Sequence, residues 1–347
     1  MQNRKWILYG ANGYTGEIIA RKAKEYNLTP ILAGRNKEKI IKLSDELNLP
    51  YRIFSLDDPK EIQKNIQGSE LVFNAAGPYT KTAKPIVEAC IDSKIHYLDI
   101  TGEIPVYELI KTYSAKAQKA NVMLLPGVGF DVVPTDCVAK TLSEELPSAD
   151  TLELVFYMES SASRGTTLSM IGQAPQGGKE RINGEIVYSP LNSKHKKVQL
   201  GEEEFTAYSI PWGDVSTGFT STKIPNITTY MVNSPIVAIA TPLLSLAMQW
   251  RPLQTFVESV AGAILSGPNE KVRESYSGYI WGEVRDKKGN AKTMAIRTKE
   301  GYEFTAISSL LSVQEVFSGK ILPGYQTPSL VFGKDFVFKI PGTEKIR

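Results

Sequence analysis

Three glycines recur at every third position directly after the first apolar run of the chain, Trp6–Tyr9. In such a turn the glycines provide a tight bend, close approach of the backbone to a phosphate, and close packing of helix on sheet. The helix that follows offers free amides and a positive dipole end. The spacing predicts a cradle for a dinucleotide pyrophosphate, with a plain glycine turn as the alternative. The predicted contacts are Gly10, Asn12, Gly13, Tyr14, Thr15 and Gly16.

A second group of candidate contacts lies where the second predicted strand ends, at Gly34, Arg35 and Asn36. An NAD enzyme usually carries a carboxylate here to hold the ribose 2′-hydroxyl, but the first carboxylate in this segment is Glu38. The Arg35 guanidinium can instead donate to a 2′-phosphate and stack on adenine. This favours NADP(H) over NAD(H). The alternative is a solvated arginine at a loop tip.

Small residues follow the fourth predicted strand, in the run Asn74–Tyr79. They would let a cofactor lie across the strand ends, where ligands bind in open parallel sheets. The predicted contacts in this run are Ala76, Gly77, Pro78 and Tyr79. After the third strand, Asp57 could accept from the adenine amine, although a helix cap before Pro59 explains it as well.

Hydride transfer is the cofactor's chemistry, so the protein has to orient the nicotinamide, exclude water and stabilise developing negative charge. Tyr79 and Thr101 stand at strand ends near the expected nicotinamide. Ser163, Arg164 and Thr166 could add donors from the later part of the chain, with an ordinary helix N-cap as the alternative.

Four carboxylates near these strand ends could act as an acid or orient a donor: Asp99, Glu103, Asp131 and Asp136. Helix capping explains Glu103, Asp131 and Asp136 about as well, because each lies next to a proline that can open a helix. Among them we favour Asp131. The predicted catalytic set is therefore Tyr79, Thr101, Asp131 and Arg164.

The elements that must position these residues follow two different rhythms. From Trp6 to Pro126, short apolar runs alternate with helix-like stretches, which is typical of a parallel sheet with right-handed crossovers. Later, the alternating strand Thr151–Met158 and a hairpin formed by Tyr276–Arg285 and Ala291–Thr298 indicate a mainly antiparallel sheet. Between them, Gln173–Ser193 and Thr206–Thr220 are interpreted as long irregular segments.

The predicted fold is α/β, with an N-terminal Rossmann-type parallel sheet and a second α+β domain whose sheet is mainly antiparallel. The predicted boundaries are 1–127 for the NADP-binding domain and 128–318 for a substrate domain that could also pair subunits in a homodimer. A C-terminal tail, 319–347, is expected to pack back on the body.

Composition excludes several classes of function. The 347 residues carry a net charge of only +3 without a basic stripe, so no nucleic-acid partner is expected. Two cysteines and two histidines predict neither a disulfide framework nor a metal site. No leader pattern opens the chain, which predicts a cytoplasmic protein. The apolar segment 234–265 is interpreted as core helices, with pocket lining or peripheral membrane contact as alternatives.

Taken together, these motifs resemble the saccharopine dehydrogenase-like oxidoreductases. The runs that carry the resemblance are Gly10–Gly16, Ala33–Asn36, Asn74–Tyr79, Tyr97–Glu103, Pro126–Asp136, Ser163–Ser169, Tyr302–Ala306 and Pro323–Pro328. The chain looks most similar to the branch that includes trans-acting enoyl reductases of polyketide-derived lipids. The resemblance implies an NADP(H)-dependent oxidoreductase with a Rossmann domain and an α/β substrate domain, and it leaves the substrate open.

The expected activity is reduction of an apolar substrate, of enoyl, lipid or polyketide type. A saccharopine- or imine-type amino-acid dehydrogenase is one alternative. That enzyme would need clustered cations for a substrate with several carboxylates, whereas the cations here are scattered: Arg164, Lys179, Arg181, Arg251 and Arg273.

Two further alternatives differ in class. A short-chain dehydrogenase would use a tyrosine and a lysine at i, i+4, as in Tyr107 and Lys111. However, Thr101 lies only six residues before Tyr107 and the second domain is too large for that class, so we interpret the pair as coincidence. A protein that binds NADPH without redox chemistry is the non-enzymatic alternative.

Overall fold

The computed structural model describes residues 4–160, 163–264 and 267–347. It divides into two compact units, each built from two stretches of the chain. The first contains the residues up to Val133 and Tyr302–Gly333, and the second contains Pro134–Gly301 and Lys334–Arg347.

The first unit is a seven-stranded parallel sheet with helices joining its strands. Its strands are β1 (Trp6–Tyr9), β2 (Ile31–Gly34), β3 (Tyr51–Ile53), β4 (Leu71–Asn74), β5 (His96–Asp99), β6 (Met123–Leu125) and β15 (Gly324–Tyr325). Their order is β15-β6-β5-β4-β1-β2-β3, so the direction of winding reverses between β1 and β4. Ligands of such sheets bind at this reversal, beside the carboxyl ends of the strands.

The helices of the first unit follow the strands in alternation. They are α1 (Tyr14–Lys22), α2 (Lys37–Leu47), α3 (Pro59–Ile66), α4 (Tyr79–Ser93), α5 (Ile104–Thr112), α6 (Ser114–Lys119), α13 (Gly301–Phe317) and α14 (Pro328–Phe332). The strands lack strict alternation because both sheet faces are covered; all four residues of β1 are buried.

The second unit is a nine-stranded mixed sheet that is mostly antiparallel. Its strands are β7 (Thr151–Met158), β8 (Gly178–Ile182), β9 (Glu185–Ser189), β10 (His195–Leu200), β11 (Glu203–Ser209), β12 (Asn226–Val232), β13 (Ser277–Arg285), β14 (Ala291–Lys299) and β16 (Glu344–Lys345). The main path runs β10-β11-β12-β7-β13-β14-β16, with β8 paired to β12 and β9. Of the recorded pairs only β12–β7 is parallel. The predicted fold class is confirmed.

Six helices of the second unit are described. They are α7 (Val133–Glu145), α8 (Arg164–Gln173), α9 (Asp214–Thr222), α10 (Pro235–Ala247), α11 (Arg251–Ile264) and α12 (Glu270–Ser275). Among the described residues, every helix is too short or too polar to cross a bilayer.

Two segments predicted to be irregular form regular secondary structure instead. The segment 173–193 contains the hairpin β8–β9, which turns at Asn183 and Gly184 with φ of 50° and 85°. An Asn-Gly pair with positive φ at both positions is the usual two-residue hairpin turn, so the sequence did carry the signal. The segment 206–220 contains the end of β11 and most of α9.

The domain boundaries also differ from the prediction. Helix α13, predicted to lie in the second domain, belongs to the first unit, and the predicted tail is shared between the two units. Strand β15 extends the first sheet beside β6, whereas β16 pairs with β14 in the second. Sequence periodicity identifies helices and strands, but it does not show which sheet a strand near the C-terminal end of the chain joins.

The interpretation of 234–265 as core helices is wrong for α10. Its large aliphatic side chains are exposed, including Ile236 at 81%, Ile239 at 72% and Leu243 at 69%. Only Ala238 and Ser245 are buried on this helix. An apolar sequence pattern cannot distinguish a core helix from one whose apolar side faces outward, because both need the same side chains.

Candidate nucleotide site at the carboxyl ends of the first sheet

The glycine loop after β1 packs directly against the loop after β4. Gly10 adopts a φ of 84°, and a Cβ added there would lie 2.7 Å from the amide nitrogen of Ala76. A Cβ at Gly16 would lie 2.3 Å from the carbonyl oxygen of Gly10. Both positions therefore require glycine. At Gly10 the backbone conformation and the close contact both require it, and at Gly16 the close contact alone does. This is the close-packed turn that a pyrophosphate cradle needs.

The N-terminus of α1 differs from those of neighbouring helices. Helices α2 and α3 are capped by the side chains of Asn36 and Asp58, which accept from backbone amides at 3.0 and 2.8 Å. Helix α1 begins after Gly13, whose position provides no side-chain cap. Gly13 therefore places no acidic or hydroxyl group on the first-turn amides of α1, which point into the loop. An anion can bind at a helix end only when its amides are left open in this way.

The residues at the end of β2 are placed as the sequence predicted, with one change of role. Arg35 is exposed at the edge of the sheet. A Cβ at Gly34 would lie 2.9 Å from Oδ1 of Asn12, so the glycine loop and the β2 end adjoin each other. Asn36, predicted to contact the cofactor, is the N-cap of α2.

Asp57 is exposed near the same edge, and Asp58 rather than Asp57 caps α3. The capping alternative for Asp57 is therefore wrong. Arg35 and Asp57 both act on Tyr9, at the end of β1. Burial raises the pKa of Tyr9 to about 12, with Arg35 opposing the rise and Asp57 adding to it. Charge of both signs thus surrounds the end of β1.

The run after β4 combines an accessible loop with a buried helix start. Gly77 and Pro78 are exposed and Ala76 is half-buried, so all three could contact a ligand. Tyr79, the first residue of α4, is buried. Burial, and then the negative charges of nearby carboxylates, raise the pKa of Tyr79 well above its usual value. Its hydroxyl therefore stays protonated and can act only as a neutral donor.

Glu103 holds the start of α4. Its two carboxylate oxygens accept from the backbone amides of Tyr79 and Thr80, each at 3.1 Å. A carboxylate at this position satisfies two unpaired helix amides and complements the helix dipole. Glu103 was expected as a cap of its own helix, α5. It instead joins the end of β5 to α4, a long-range contact that local spacing does not reveal.

Behind this loop lies a buried polar network that sequence reasoning missed. The Asn74 amide donates to Tyr97 and to Thr82, both at 3.2 Å, and its Oδ1 accepts from the amide of Ala76 at 3.0 Å. Tyr97 donates to Asp99 at 2.7 Å. The network fixes the β4 loop from beneath. The available signal was Asn74 itself, a polar residue closing an apolar strand.

Asp99 binds the ends of two neighbouring strands together. Besides Tyr97, it accepts from the amides of Thr101 at 3.0 Å and Gly127 at 2.9 Å. Burial raises the pKa of Asp99 to about 6, against the opposing effect of these donors. With three donors committed to it, Asp99 is a structural carboxylate.

Thr101 lies in the same turn and is completely buried. Its hydroxyl oxygen accepts from the amide of Glu103 at 3.1 Å, and its carbonyl accepts from the Tyr107 hydroxyl. These contacts favour a positioning role over the predicted contact with substrate. Tyr107 is also completely buried, which agrees with the interpretation of Tyr107 and Lys111 as coincidence.

Asp131 lies at this edge on the β6 side and is less buried than Asp99 and Glu103. It is half-buried in the loop after β6, and a Cβ at Gly102 would lie 3.0 Å from its Oδ2. Burial raises the pKa of Asp131 to about 7. An aspartic acid with this pKa keeps its proton near neutral pH and can deliver it, which is the property of a general acid.

The remaining predicted donors belong to the second unit. Ser163 is buried there and Arg164 begins α8, but the side chains of Arg164 and Thr166 lie outside the described residues. Asp136 is buried in the first turn of α7. The geometry of the site therefore rests on the first unit.

Comparison with known proteins agrees with this geometry. Residues 6–125 match the model of the saccharopine dehydrogenase NADP binding domain. The match spans the first six strands and their helices, together with the glycine loop, Arg35 and the Glu103 contact.

Relatives match over the same part of the chain. A protein of Arabidopsis thaliana, named as a probable mitochondrial saccharopine dehydrogenase-like oxidoreductase, is 29% identical over 147 residues, which are 38% of this chain and 32% of that one. The trans-acting enoyl reductase of Mycobacterium ulcerans is 26% identical over 138 residues, 38% of this chain and 33% of that protein. The matches thus span about a third of each relative.

One solved structure is similar along nearly the whole chain. The L-Glu-forming saccharopine dehydrogenase from Saccharomyces cerevisiae has a TM-score of 0.65 at 11% identity, covering 97% of this chain and 96% of that one. At this identity the similarity concerns the fold alone.

Proposed function

We propose that this protein is an NADP(H)-dependent oxidoreductase that reduces an apolar substrate by hydride transfer. The observation that carries the proposal is the edge of the first sheet, where Arg35 follows β2, the glycine cradle follows β1 and the half-buried Asp131 follows β6. A Cβ at Gly10 would meet the backbone of Ala75 and Ala76, so the close-packed turn requires glycine there, and the residues present fit a dinucleotide. When bound, the nicotinamide supplies the hydride.

The chain's own residues divide the remaining work. The first-turn amides of α1 would bind the pyrophosphate, and Arg35 would bind the 2′-phosphate. Gly77 and Pro78, in the loop that Asn74 holds, would border the nicotinamide ribose. The cofactor would supply hydride to the β-carbon of an enoyl thioester, and Asp131 would deliver a proton to its α-carbon. Tyr79 donates a neutral hydrogen bond toward the site.

Two observations support an apolar rather than a polycarboxylate substrate. Arg181 is buried, donates to the carbonyls of Val215 and Gly184, and lies 4.5 Å from the Phe219 ring centroid. Arg273 donates to the carbonyl of Pro268 at 3.1 Å. Two of the five scattered cations are thus committed to the protein itself. The name of the Mycobacterium ulcerans relative, an enoyl reductase, points the same way.

The deciding experiment measures NADPH oxidation with a panel of substrates. We expect consumption with crotonyl-CoA and faster consumption with a long-chain trans-2-enoyl-CoA. NADPH oxidation with a mixture of lysine and 2-ketoglutarate, or NADP⁺ reduction by saccharopine, without turnover of either thioester, would instead establish the amino-acid dehydrogenase. NADPH binding with no turnover in any arm would favour the non-enzymatic alternative. A cytoplasmic location and a homodimer stay predictions.

The choice of cofactor is tested at Arg35. Replacing Arg35 with Ala removes a charge-assisted contact with the 2′-phosphate, which is worth about 1.5–3 kcal/mol, or roughly a tenfold to hundredfold change in Kd. We expect NADPH to bind more weakly by this factor in calorimetry and NADH to be little affected. Lys42→Ala, at an exposed lysine of α2, is the control. Equal weakening of both cofactors would contradict the assignment.

A further inference from the structure

Helix α10 and the residue that follows it expose an apolar surface. We call it the apolar arc: Ile236, Val237, Ile239, Leu243, Leu244, Leu246 and Trp250. The exposed fractions run from 47% for Val237 to 81% for Ile236, and Trp250 is 68% exposed. Single exposed apolar residues are ordinary, but seven on one helix and its end form a contiguous patch, which marks an interaction surface.

The arc is wider than the stripe that a protein groove covers. At about 100° per residue, its side chains spread over about half of the helix circumference. The inward side is formed by Ala238 and Ser245, with Thr241 and Pro242 half-buried. An amphipathic helix that docks on protein presents a stripe of about 100°. A surrounding apolar medium contacts the wider arc along its whole width.

The surface also lacks charge. From Ser234 to Trp250 there is no Asp, Glu, Lys or Arg. Protein interfaces carry a polar rim around their apolar centre, and such a rim is absent from this stretch. An uncharged surface matches the acyl region of a bilayer.

Three hydroxyls on α10 and α11 donate within their own helices. Thr241 donates to the carbonyl of Val237 at 2.7 Å, and in α11 Thr255 and Ser259 donate to carbonyls one turn earlier, at 3.0 and 2.8 Å. Ser234 caps α10 by accepting from the amide of Val237. Exposed hydroxyls facing water do not need internal partners, whereas polar groups in an apolar medium do.

The ends of the arc have the chemistry of a membrane–water boundary. Trp250 closes it and Arg251 follows, and tryptophan and arginine favour the headgroup level. Helix α10 has 13 residues, which make it about 20 Å long, shorter than the ~30 Å hydrocarbon core. It can therefore lie in the surface of a bilayer but cannot cross it.

We propose that α10 and Trp250 dock this protein on the surface of a lipid bilayer, with the helix axis in the membrane plane and the apolar arc among the acyl chains. The proposal does not depend on the proposed oxidoreductase function. Since the arc carries no charge, binding does not require anionic lipid.

The test uses the full chain and vesicles of phosphatidylcholine, alone or mixed with phosphatidylglycerol. We expect flotation with both kinds at low and high salt, and a blue shift of tryptophan emission. The shift reports on Trp250 because Trp6 and Trp281 are buried and Trp212 is half-buried. Trp250→Phe should abolish it.

Leu243→Asp should lower the partition coefficient by at least tenfold. Tyr188→Asp is the matched control, because Tyr188 is 70% exposed and lies outside the arc. Melting curves without vesicles confirm that both variants fold, and NADPH binding should be unchanged in both. The proposal would be overturned if the wild-type protein floated with neither kind of vesicle, phosphatidylcholine alone or the mixture with phosphatidylglycerol. A lipid-free dimer that Leu243→Asp dissociates would also overturn it, since a second copy would then cover the arc.

Discussion

Asp131 combines accessibility with a carboxyl group that holds its proton. It is half-buried, whereas Asp99 and Glu103, its neighbours at the strand ends, are buried and committed to backbone amides. The difference in environment separates the roles of three carboxylates within one edge of the sheet. Two of them hold backbone amides of the loop, and Asp131, which is only half-buried, can exchange a proton.

The proposed role of Asp131 as the general acid predicts a pH dependence of the reaction. Because the acid form delivers the proton, kcat/KM should fall as pH rises through about 7, the pKa to which burial raises Asp131. Asp131→Asn should lower kcat roughly 10²- to 10⁴-fold, which is the usual contribution of a general acid to the rate. It should leave NADPH affinity unchanged. Steady-state kinetics across pH, with calorimetry for NADPH, measures both.

Urea unfolding provides the control for that experiment. The folded state holds the Asp131 proton up to about pH 7, while an unfolded chain releases it near the ordinary value of 3.8. The stability contributed by this group is therefore present at low pH and is lost as pH rises through about 7. Asp131→Asn should gain in stability relative to the wild type over this range. A flat difference would show that the pKa is not raised.

Sequence reasoning located the residues whose positions follow from local spacing. The glycines and Arg35 are examples, because a turn and a strand end are defined within a few residues. The contacts of Glu103 with Tyr79, and of Asn74 with Tyr97, join residues 23 or 24 positions apart. Which strand ends adjoin is set by the strand order, which no short window contains.

At the scale of elements, the site depends on two loops from non-consecutive strands. The β1 loop and the β4 loop meet because the sheet reverses its winding between those strands. The amide of Ala75 donates to the carbonyl of Tyr9 at 2.8 Å, next to the contact between Gly10 and Ala76. The cradle is therefore a property of the pair of loops.

Gly10→Ala tests this pairing. A Cβ there would meet Ala76 at 2.7 Å and force an unfavourable φ, so we expect a loss of stability of about 1–3 kcal/mol and NADPH binding weakened at least tenfold. Gly68→Ala is the control, because Gly68 has a similar φ of 78°, no atom within 4 Å of its added Cβ, and a position outside the cradle. Thermal melts with and without NADPH compare the two. Equal behaviour of both variants would argue against the close-packed cradle.

The prediction of elements succeeded where a regular pattern of apolar residues extends over many positions. It failed where the surroundings of the element in the folded protein decide its structure or burial. Strand β7 was predicted with the observed ends, Thr151–Met158, because it alternates over eight residues. The hairpin β8–β9 was missed because its five-residue strands mix charged and apolar residues with weak alternation. Helix α10 was recognised as apolar, but what surrounds an apolar helix is decided by the rest of the molecule.

At the scale of the whole molecule, each unit is closed by a late part of the chain. The chain passes between the units at 133–134, 301–302 and 333–334. Strand β15 adds the last strand to the first sheet, and β16 adds an edge strand to the second. Stability of the first unit therefore depends on residues near position 324.

Gly324→Ala tests that dependence. Gly324 has a φ of 95°, and an added Cβ would lie 2.8 Å from Cγ of Gln118, so β15 should be displaced from β6. We expect the free energy of unfolding of the first unit, followed as the transition that added NADPH should stabilise, to fall by about 1–3 kcal/mol. Gly319→Ala separates the two causes, because Gly319 has a similar φ of 99° with no atom within 4 Å. Identical losses would mean that backbone strain alone is responsible.

The placement of β15 and β16 also has a consequence for biosynthesis. During translation the ribosome releases the first six strands of the parallel sheet long before Tyr302–Gly333 emerges. The free edge of β6, the strand that β15 later covers, is then open to pairing with other nascent chains. We therefore expect the first unit to need chaperone protection until residues 302–333 have been synthesised, and translation products that stop before them to aggregate through this edge.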